Sequence, residues 1–369
     1  MMKTFAFYVV RQFLFRCALV LVGTAAFALA ADLMESGKNV ATIDDSSWRV
    51  LFEYGLLRLP TYVSALLPVS SLIAGLWTVA VLYRQQELVA IFNTGLSPTG
   101  LIRIVLIGSL PLVLLQFALD DRIVPASVQE LRSWDWANAS HDYFTPQTDG
   151  WLWLYSGNDI VRAEHADRKS RTFRNVTIFR RDADGLLEER VDAPFARFTE
   201  NGMVLQNAVV QSVNDPETRP APNYTWIGRI DFEIIQMLSW APSDLSLSQL
   251  SQVIDNAGYG QRPVNIYRTW YNARLIAALQ PLLMLLLSMS LIPTYSRTGS
   301  FAWIFLVGIS IGFASFILTG ITTAMGEAGL LPPWLAAGAP AIALLALIAR
   351  FLLQHEVLTS NRRRATGLA

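Results

Sequence analysis

The sequence contains few of the residues that build disulfides, metal centres and nucleophilic active sites. It has 1 cysteine and 3 histidines, so an intrachain disulfide and a cysteine metal site are excluded. The histidines lie far apart in sequence, which gives no indication of a metal cluster. The patterns GxxxxGK[ST] and HExxH, which bind nucleotide phosphates and zinc, are absent. We therefore predict no cofactor, no metal and no enzymatic activity in this chain.

Charge is scarce as well. Charged residues make up 16% of the chain and the formal net charge is zero, so no basic surface indicates nucleic acid. The apolar runs contain almost no ionisable side chain, so a proton-coupled pump would lack its relay. We expect Asp120 and Asp121, at the end of one run, to be solvated. Work done across a membrane would take its energy from a partner protein.

What is abundant is apolar sequence, at 53% of the residues. Six runs are near the roughly 20 residues that cross a bilayer, three before a polar insertion and three after it. The runs are Phe13–Ala31, Leu59–Tyr83, Leu101–Leu119, Leu275–Leu291, Phe301–Met325 and Leu330–Ala349. The first run could be a cleaved signal peptide, because Ala28-Leu29-Ala30 resembles a cleavage site. We favour an uncleaved helix, since all six runs then give one consistent orientation.

The loop charges set that orientation. Basic residues flank the same ends of the runs, which by the positive-inside rule are cytoplasmic. They are Lys3, Arg11, Arg16, Arg84, Arg103, Arg297, Arg350, Arg362, Arg363 and Arg364. Acidic residues such as Asp32, Glu35 and Glu327 lie at the opposite ends. Both termini are therefore predicted to be cytoplasmic, with the insertion on the far side.

The insertion, about 121–262, alternates apolar and polar residues in short segments. The segments that predict strands are Trp151–Ser156, Asp159–Ala166, Asn175–Arg181, Ala196–Val213 and Trp226–Ile234. Turn pairs separate them, of which Asn201-Gly202 is a strong hairpin signal. We predict an antiparallel sandwich or open roll, with Trp151 and Trp153 filling its core. An amphipathic helix follows over Ser243–Asp255, capped by Ser243.

A short polar segment, about 84–97, lies between the second and third runs. Glu87 opens a helical LVAIF stretch that Gly95 can end, and Pro98 prevents its continuation. A small helix across the cytoplasmic mouth of a membrane bundle would suit contact with a soluble motor. The alternative is an ordinary loop.

Several blocks of this chain resemble the LptF/LptG family of lipopolysaccharide export permeases, with the LptG branch the nearer. The most specific is the stretch up to Pro98, with its glutamate and Gly-Leu-Ser in 84–97. Further blocks are DLSLSQL at 244–250, RLIAALQPLLMLLLSMSLIP at 274–293, GISIGFASFIL at 308–318 and GLLPPWLAAGAP at 329–340.

The resemblance implies a six-helix inner-membrane permease with a periplasmic antiparallel β domain, jellyroll-like, inserted between helices three and four. The implied domains are 1–120, 121–262 and 263–369. The implied partners are a dimer of the LptB-like cytoplasmic ATPase, the paralogous permease LptF, and the bridge proteins LptC and LptA. The implied substrate is lipopolysaccharide, drawn from the inner membrane and passed toward the outer membrane.

The resemblance also implies roles for particular residues. Coupling to the ATPase is expected of Glu87, surrounded by Leu88, Ile91, Phe92 and Gly95. Helices one and five are expected to form lateral gates with the partner permease through small residues such as Gly23, Gly308 and Gly312. Substrate contact is expected of Lys38, Arg58, Arg268, Arg274, Leu66 and Phe313.

One departure from the family concerns the far end of helix one. Family members often place basic residues there, whereas this chain reads AADLMESGKNV with Lys38 as the only cation. This keeps two alternatives open: a permease of the same build for another glycolipid or a lipoprotein, and a membrane scaffold or receptor whose β domain binds a protein. A membrane-embedded enzyme is disfavoured by the lack of titratable groups in the apolar runs.

Overall fold

The computed structural model describes residues 2–40, 47–87, 98–133, 151–156, 158–167, 172–182, 184–199, 202–213, 215–227, 237, 240–255, 262–291 and 301–365. They belong to two compact units. One, the helical unit, is formed by Met1–Trp136 and Thr269–Ala369, and the other, the strand unit, by Ala137–Arg268.

The helices follow the apolar runs. Helix α1 spans Met2–Val40, α2 Ser47–Arg84 and α3 Pro98–Ala118, after which a π-helical turn at Leu119–Ile123 leads into α4 at Val124–Ser133. Helix α5 spans Leu247–Asp255, α6 Val264–Ala277, α7 Gln280–Ser290, α8 Phe301–Glu327 and α9 Pro333–Ala365.

Four helical stretches of the described residues are long and apolar enough to cross a membrane. They are Phe7–Glu35, Trp48–Arg84, Ala302–Glu327 and Pro333–Leu353. A fifth results if α6 and α7, which meet at a 50° bend, form one span. Pro281 near the start of α7 explains the bend, because proline has no backbone N–H to donate a hydrogen bond to a carbonyl of the preceding helical turn. Helix α3 coincides with the remaining predicted run, and the count of six spans stays a prediction.

Helix α2 is the centre of the helical unit and packs against α1, α4, α7 and α8. Its fully buried Leu67 and Ala74 share one apolar cluster with Phe13 of α1 and Leu285 of α7. The α2–α7 contact is also polar, because the Ser71 hydroxyl donates to the Pro281 carbonyl at 2.8 Å. Small residues permit this close approach, as is usual for helices in a membrane.

The strand unit contains one seven-stranded antiparallel sheet in the order β1-β2-β4-β5-β6-β7, with β3 paired to β4. The strands are β1 Leu152–Ser156, β2 Asp159–Ala163, β3 His165–Asp167, β4 Thr172–Arg181, β5 Leu187–Thr199, β6 Gly202–Ser212 and β7 Asp215–Trp226. A hairpin joins β5 to β6 in the region where one was predicted, since Thr199 pairs with Gly202. Gly202 is therefore the first residue of β6, and Asn201 of the predicted turn lies outside the described residues. The described strands form a single sheet of mainly sequential neighbours, without the second sheet of a sandwich or jellyroll.

The last described strand lies before the strand predicted at Trp226–Ile234, of which residues 228–234 lie outside the described residues. Strand β7 ends at Trp226 and contains Pro216, Pro220 and Pro222. Proline cannot donate to a ladder, so it argues against a central strand. Strand β7 lies at the end of the strand order, where the missing donors face no further strand.

Trp153 of β1 and Trp151, directly before that strand, do not fill the core as predicted. Trp153 pairs with Arg162, whose guanidinium carbon lies 4.3 Å from the Trp151 ring and 5.8 Å from the Trp153 ring. Both rings are half-buried. The fully buried side chains belong to alternate residues such as Val161 and Ile178, which point to the other face of the sheet.

The cap of α5 also differs from the prediction. The Ser246 hydroxyl accepts from the Gln249 N–H at 3.3 Å, and the Gln249 side chain accepts from the Ser246 N–H at 2.9 Å. This reciprocal pair is a capping box. Ser246, rather than the predicted Ser243, therefore begins the helix.

Candidate functional site

The Glu87 end of α2 is a helix terminus with a sharp turn. The helix ends at Arg84, and Gln86 has a left-handed φ of 56°. The Gln86 N–H donates to the Tyr83 carbonyl at 3.0 Å, which closes the last turn. The chain therefore leaves the axis of α2 directly before Glu87.

Glu87 has one weakly engaged and one unengaged carboxylate oxygen among the described residues. The Tyr8 hydroxyl of α1 donates to Oε1 at 3.5 Å, at the limit of a hydrogen bond. Oε2 is buried and has no partner within the described part of the chain. Such a carboxylate keeps capacity to accept from donors of another molecule. The other four predicted coupling residues, Leu88, Ile91, Phe92 and Gly95, lie outside the described residues.

Arg58, near the other end of α2, is held in a polar cluster that the sequence did not indicate. Its Nε lies 3.5 Å from Asp32 Oδ2 of α1, and its guanidinium carbon lies 5.7 Å from the Tyr62 ring. The buried Tyr54 hydroxyl donates to the same Asp32 oxygen at 2.8 Å. Asp32 therefore compensates the charge of Arg58, which would have to exchange partners to hold a phosphate.

The remaining cationic candidates lie in different environments. Lys38 is in α1, and its side chain is outside the described residues. Arg268 is exposed on α6, whereas Arg274, in the last turn of the same helix, is only 8% exposed. Arg268 belongs to the strand unit and Arg274 to the helical unit.

The two apolar candidates also differ. Leu66 is half-buried on α2. Phe313 is 67% exposed, although its neighbour Gly312 faces α2 so closely that an added Cβ would lie 2.5 Å from Leu72. Phe313 therefore lies on the outer surface of the described helices. A cavity lined by Phe313 would need a second chain as its other wall.

Two acidic residues at helix ends are hydrogen-bonded. Asp120, expected to be solvated, accepts from Gln116 Nε2 at 2.8 Å and also from the Ser64 hydroxyl. Glu327 Oε1, at the end of α8, accepts from the Trp270 indole N–H at 2.6 Å. Sequence reasoning missed Ser64 and Trp270 because each lies on a helix distant in sequence, and it also missed Gln116, which lies four residues before Asp120.

Comparisons with known proteins agree over most of the chain. The family model described as "Lipopolysaccharide export system permease LptF/LptG" matches residues 7–354. The chain belongs to the LptF/LptG family. The lipopolysaccharide export system permease protein LptG of Escherichia coli K12 is 22% identical over 308 residues, which cover 82% of this chain and 85% of that protein. LptG of Escherichia coli O6:H1 gives the same values. The chain is thus a permease of lipopolysaccharide export, a transport component rather than an enzyme.

The glycines of the expected gate in this LptF/LptG permease divide into two kinds. An added Cβ at Gly308 would lie 2.9 Å from Leu76 of α2, and Gly312 is similarly close to Leu72. These two glycines therefore serve packing within the chain rather than contact with a partner. Gly23 of α1 has no atom within 4 Å of an added Cβ, so it alone of the three faces open space.

The helical unit also contains a small cavity with a mainly apolar lining. It has a volume of about 40 Å³ and lies between α6, α7, α8 and α9, where Gln280, Ser315, Thr319 and Thr323 contribute to its wall. This volume holds one or two water molecules. It is far below the several hundred Å³ of a typical ligand pocket, so it does not accommodate an acyl chain.

The described residues contain no group of three or more His, Cys, Asp or Glu side chains that could hold a metal. A GxSxG pattern does occur, at Gly308–Gly312, but it lies inside α8. A nucleophile elbow requires a sharp strand-to-helix turn. The pattern therefore carries no hydrolase chemistry here.

Proposed function

We propose that this chain is the permease subunit of an ABC transporter that extracts lipopolysaccharide from the inner membrane and passes it to a periplasmic bridge. A separate cytoplasmic ATPase dimer, LptB-like, would supply the energy. A paralogous permease, LptF, would pair with this chain, and LptC and LptA would form the bridge. Family membership supports the transport role, and the chain itself has no nucleotide-binding pattern.

The proposed topology has six spans, both termini in the cytoplasm and the strand unit in the periplasm. The bias of Lys and Arg toward one set of helix ends supports this orientation. The proposed domains are 1–120, 121–262 and 263–369, with the coupling segment at 84–97.

The observation that carries the coupling role is the position of Glu87. It follows the turn at Gln86, directly beyond the most buried of the candidate spans, and Oε2 has no partner within the described residues. We infer that this carboxylate accepts hydrogen bonds from a groove of the ATPase, with Leu88, Ile91, Phe92 and Gly95 packing beside it. Because α2 is packed on four neighbouring helices, a displacement at Glu87 would reach much of the bundle.

The proposed substrate cavity lies between this chain and its paired permease. Two observations support that location: the described cavity is too small for an acyl chain, and Phe313 faces outward. Leu66 and Phe313 would contact acyl chains, while Lys38, Arg58, Arg268 and Arg274 would hold phosphates through charge-assisted hydrogen bonds. For Arg58 this requires release from Asp32.

The proposal is tested by purifying the chain from its own membranes with its associated proteins and measuring ATP hydrolysis. Glu87→Ala is compared with Gln85→Ala, a matched truncation of an exposed neighbour two residues away. We expect an ATPase and a second permease-like chain to copurify. Glu87→Ala should abolish lipopolysaccharide-stimulated hydrolysis, because removing one partner of a buried charged contact costs about 2–5 kcal/mol. Gln85→Ala should retain it.

The rival functions predict other results. A scaffold or receptor would purify without an ATPase, and Glu87→Ala would behave like Gln85→Ala. A permease for another glycolipid or for a lipoprotein would keep the ATPase and the Glu87 effect. Its hydrolysis would respond to that lipid and not to lipopolysaccharide.

A further inference from the structure

Helix α2 contains a proline whose effect on the backbone is repaired by another helix. Pro68 lies inside α2 and has no N–H, so the carbonyl of Ser64, four residues earlier, receives no helical hydrogen bond. The side-chain amide of Gln116, on α3, lies 3.3 Å from that carbonyl oxygen and donates to it. Gln116 therefore supplies the bond that Pro68 cannot.

The same glutamine belongs to a closed polar network between α2 and the α3 run. Of the two N–H groups on its Nε2, one donates to Asp120 Oδ2 at 2.8 Å, and the other is shared between the Ser64 carbonyl and the Ser64 hydroxyl oxygen, which lies at 3.2 Å. The Ser64 hydroxyl donates in turn to Asp120 Oδ1. Three side chains from two helices thus connect to one another and to one backbone carbonyl.

The backbone departs from regular helix on both sides of this network. Asp120 is the second residue of the π-helical turn Leu119–Ile123, which connects α3 to α4. Such turns insert an extra residue and occur frequently at functional sites. On α2 the irregularity at this contact is Pro68, one of two prolines inside that helix, the other being Pro60. The polar contact therefore joins the two irregular points.

This polar network lies among apolar side chains, where burying polar groups costs folding free energy. Gln116 is 3% exposed, and the neighbouring Leu67, Leu112 and Leu119 belong to one buried apolar cluster. Gln116 Oε1 is buried and accepts no hydrogen bond from the described residues. An incompletely satisfied buried network is less stabilising than apolar packing would be. Its presence indicates a role beyond stability.

We propose that Ser64, Gln116 and Asp120 are positioning residues that join α2 to α3 at the Pro68 break, so that the two helices flanking 84–97 move as one body. This role rests on the proposed coupling function of that segment. A force applied at Glu87 would otherwise be absorbed as bending at Pro68, because a helix lacking one backbone bond bends readily there.

The structural half of the proposal is tested by a double-mutant cycle in the full chain. Gln116→Leu is introduced into the wild type and into Pro68→Ala, and the thermal midpoint is measured in detergent. In the wild type the substitution leaves the Ser64 carbonyl without a donor. In Pro68→Ala the N–H of residue 68 takes over that bond. We expect the fall in midpoint caused by Gln116→Leu to be at least halved in the Pro68→Ala background. Equal falls would overturn the proposal.

The functional half of the proposal is tested by measuring how much lipid the reconstituted complex releases for each ATP that it hydrolyses. We expect Asp120→Leu to keep basal hydrolysis while lipid released per ATP falls about fivefold. Asp120→Asn should recover at least half of the loss, because its side chain still accepts from Ser64. Arg122→Gln, an exposed position on the same π-helical turn, is the matched control and should equal the wild type.

The results for Glu87→Ala and Asp120→Leu together distinguish a failure of the positioning role from a failure of the coupling function on which it rests. If Glu87→Ala uncouples the complex while Asp120→Leu behaves like Arg122→Gln, the positioning role is overturned and the transporter proposal stands. If Glu87→Ala has no effect, the coupling function fails, whatever the double-mutant cycle shows. Should Asp120→Leu fail to fold, Ser64→Ala decides the point, because an unchanged lipid yield with an unchanged thermal midpoint in that variant overturns the proposal.

Discussion

Helices α2 and α8 are both apolar enough to cross a membrane, yet the protein uses them in different ways. In the most apolar stretch of α2, 67% of the residues are buried within the chain, against 17% in α8 and 17% in α1. Helix α2 buries small and polar residues such as Ser70, Ser71 and Thr78, whereas α8 exposes Trp303 and Phe313. Hydropathy therefore identifies a membrane-compatible helix without indicating which neighbours surround it.

The physical basis of this difference is the solvent. Lipid tails are as apolar as leucine, so helices in a membrane associate through close packing and hydrogen bonds rather than through the hydrophobic effect. Small residues and hydroxyls on α2 provide both. The outward faces of α1 and α8 leave large apolar side chains for lipid or for a paired permease.

The strongest test of the comparison between α2 and the outer helices adds a side chain at a point where α2 closely contacts a neighbouring helix. A side chain at Gly75 would collide with Ser288 of α7, whereas Gly23 of α1 has no atom within 4 Å of an added Cβ. We expect Gly75→Leu to lower the free energy of unfolding by about 3 kcal/mol or to prevent folding. Gly23→Leu is the control, because the gain in helix propensity is the same at both positions. The measurement is unfolding of the purified chain in detergent, and equal effects would contradict the assignment of inner and outer helices.

A second pair of substitutions removes volume instead of adding it. Leu72 of α2 is 3% exposed and Ile317 of α8 is 51% exposed. Leu72→Ala should destabilise the chain by about 3 kcal/mol, because it leaves a cavity against Gly312 and its neighbours. Ile317→Ala should change the free energy of unfolding by less than about 0.5 kcal/mol. If the two losses are similar, α8 is as enclosed as α2 under the conditions of the assay.

The smallest effect concerns a polar link between α1 and α2. Tyr54→Phe removes the 2.8 Å hydrogen bond from the buried Tyr54 hydroxyl to Asp32 and should cost about 1 kcal/mol of unfolding free energy. Asp32→Asn keeps an acceptor for Tyr54 but removes the charge opposite Arg58. At 3.5 Å, with Arg58 about one-third exposed, that ion pair should contribute less, about 0.5 kcal/mol. The reverse order would show that the ion pair, rather than the hydrogen bond, holds α1 to α2.

Some elements of the fold could be predicted because their signals are local. The hairpin between β5 and β6 lies in the region where turn chemistry indicated it. Strand β7 could not be predicted, because Pro216, Pro220 and Pro222 are acceptable only on an edge strand, and edge position depends on the order of the whole sheet. The cap of α5 was misplaced by three residues, since Ser243 and Ser246 are equivalent until Gln249 completes the box.

The residues of the candidate site likewise divide into those that the sequence could indicate and those that it could not. Glu87 could be singled out because a carboxylate between two apolar runs is conspicuous in sequence. The contact between Asp120 and Ser64 could not, because Ser64 lies 56 residues away along the chain and no local pattern relates the two. Gly308 and Gly312 were assigned to a gate because glycine indicates close approach without indicating toward which helix.

The amino-acid sequence by itself determined which segments are apolar enough to cross a membrane and which alternate as strands do, because apolar run length and strand alternation depend on residues close together in the chain. It also determined the family, through blocks of residues that match along most of the length. The tertiary structure alone decided that α2 is the central helix, that Gln116 completes the bond missing at Pro68, and that Phe313 faces outward. These features depend on contacts between helices, and close packing and hydrogen bonding set those contacts only when distant segments are brought together.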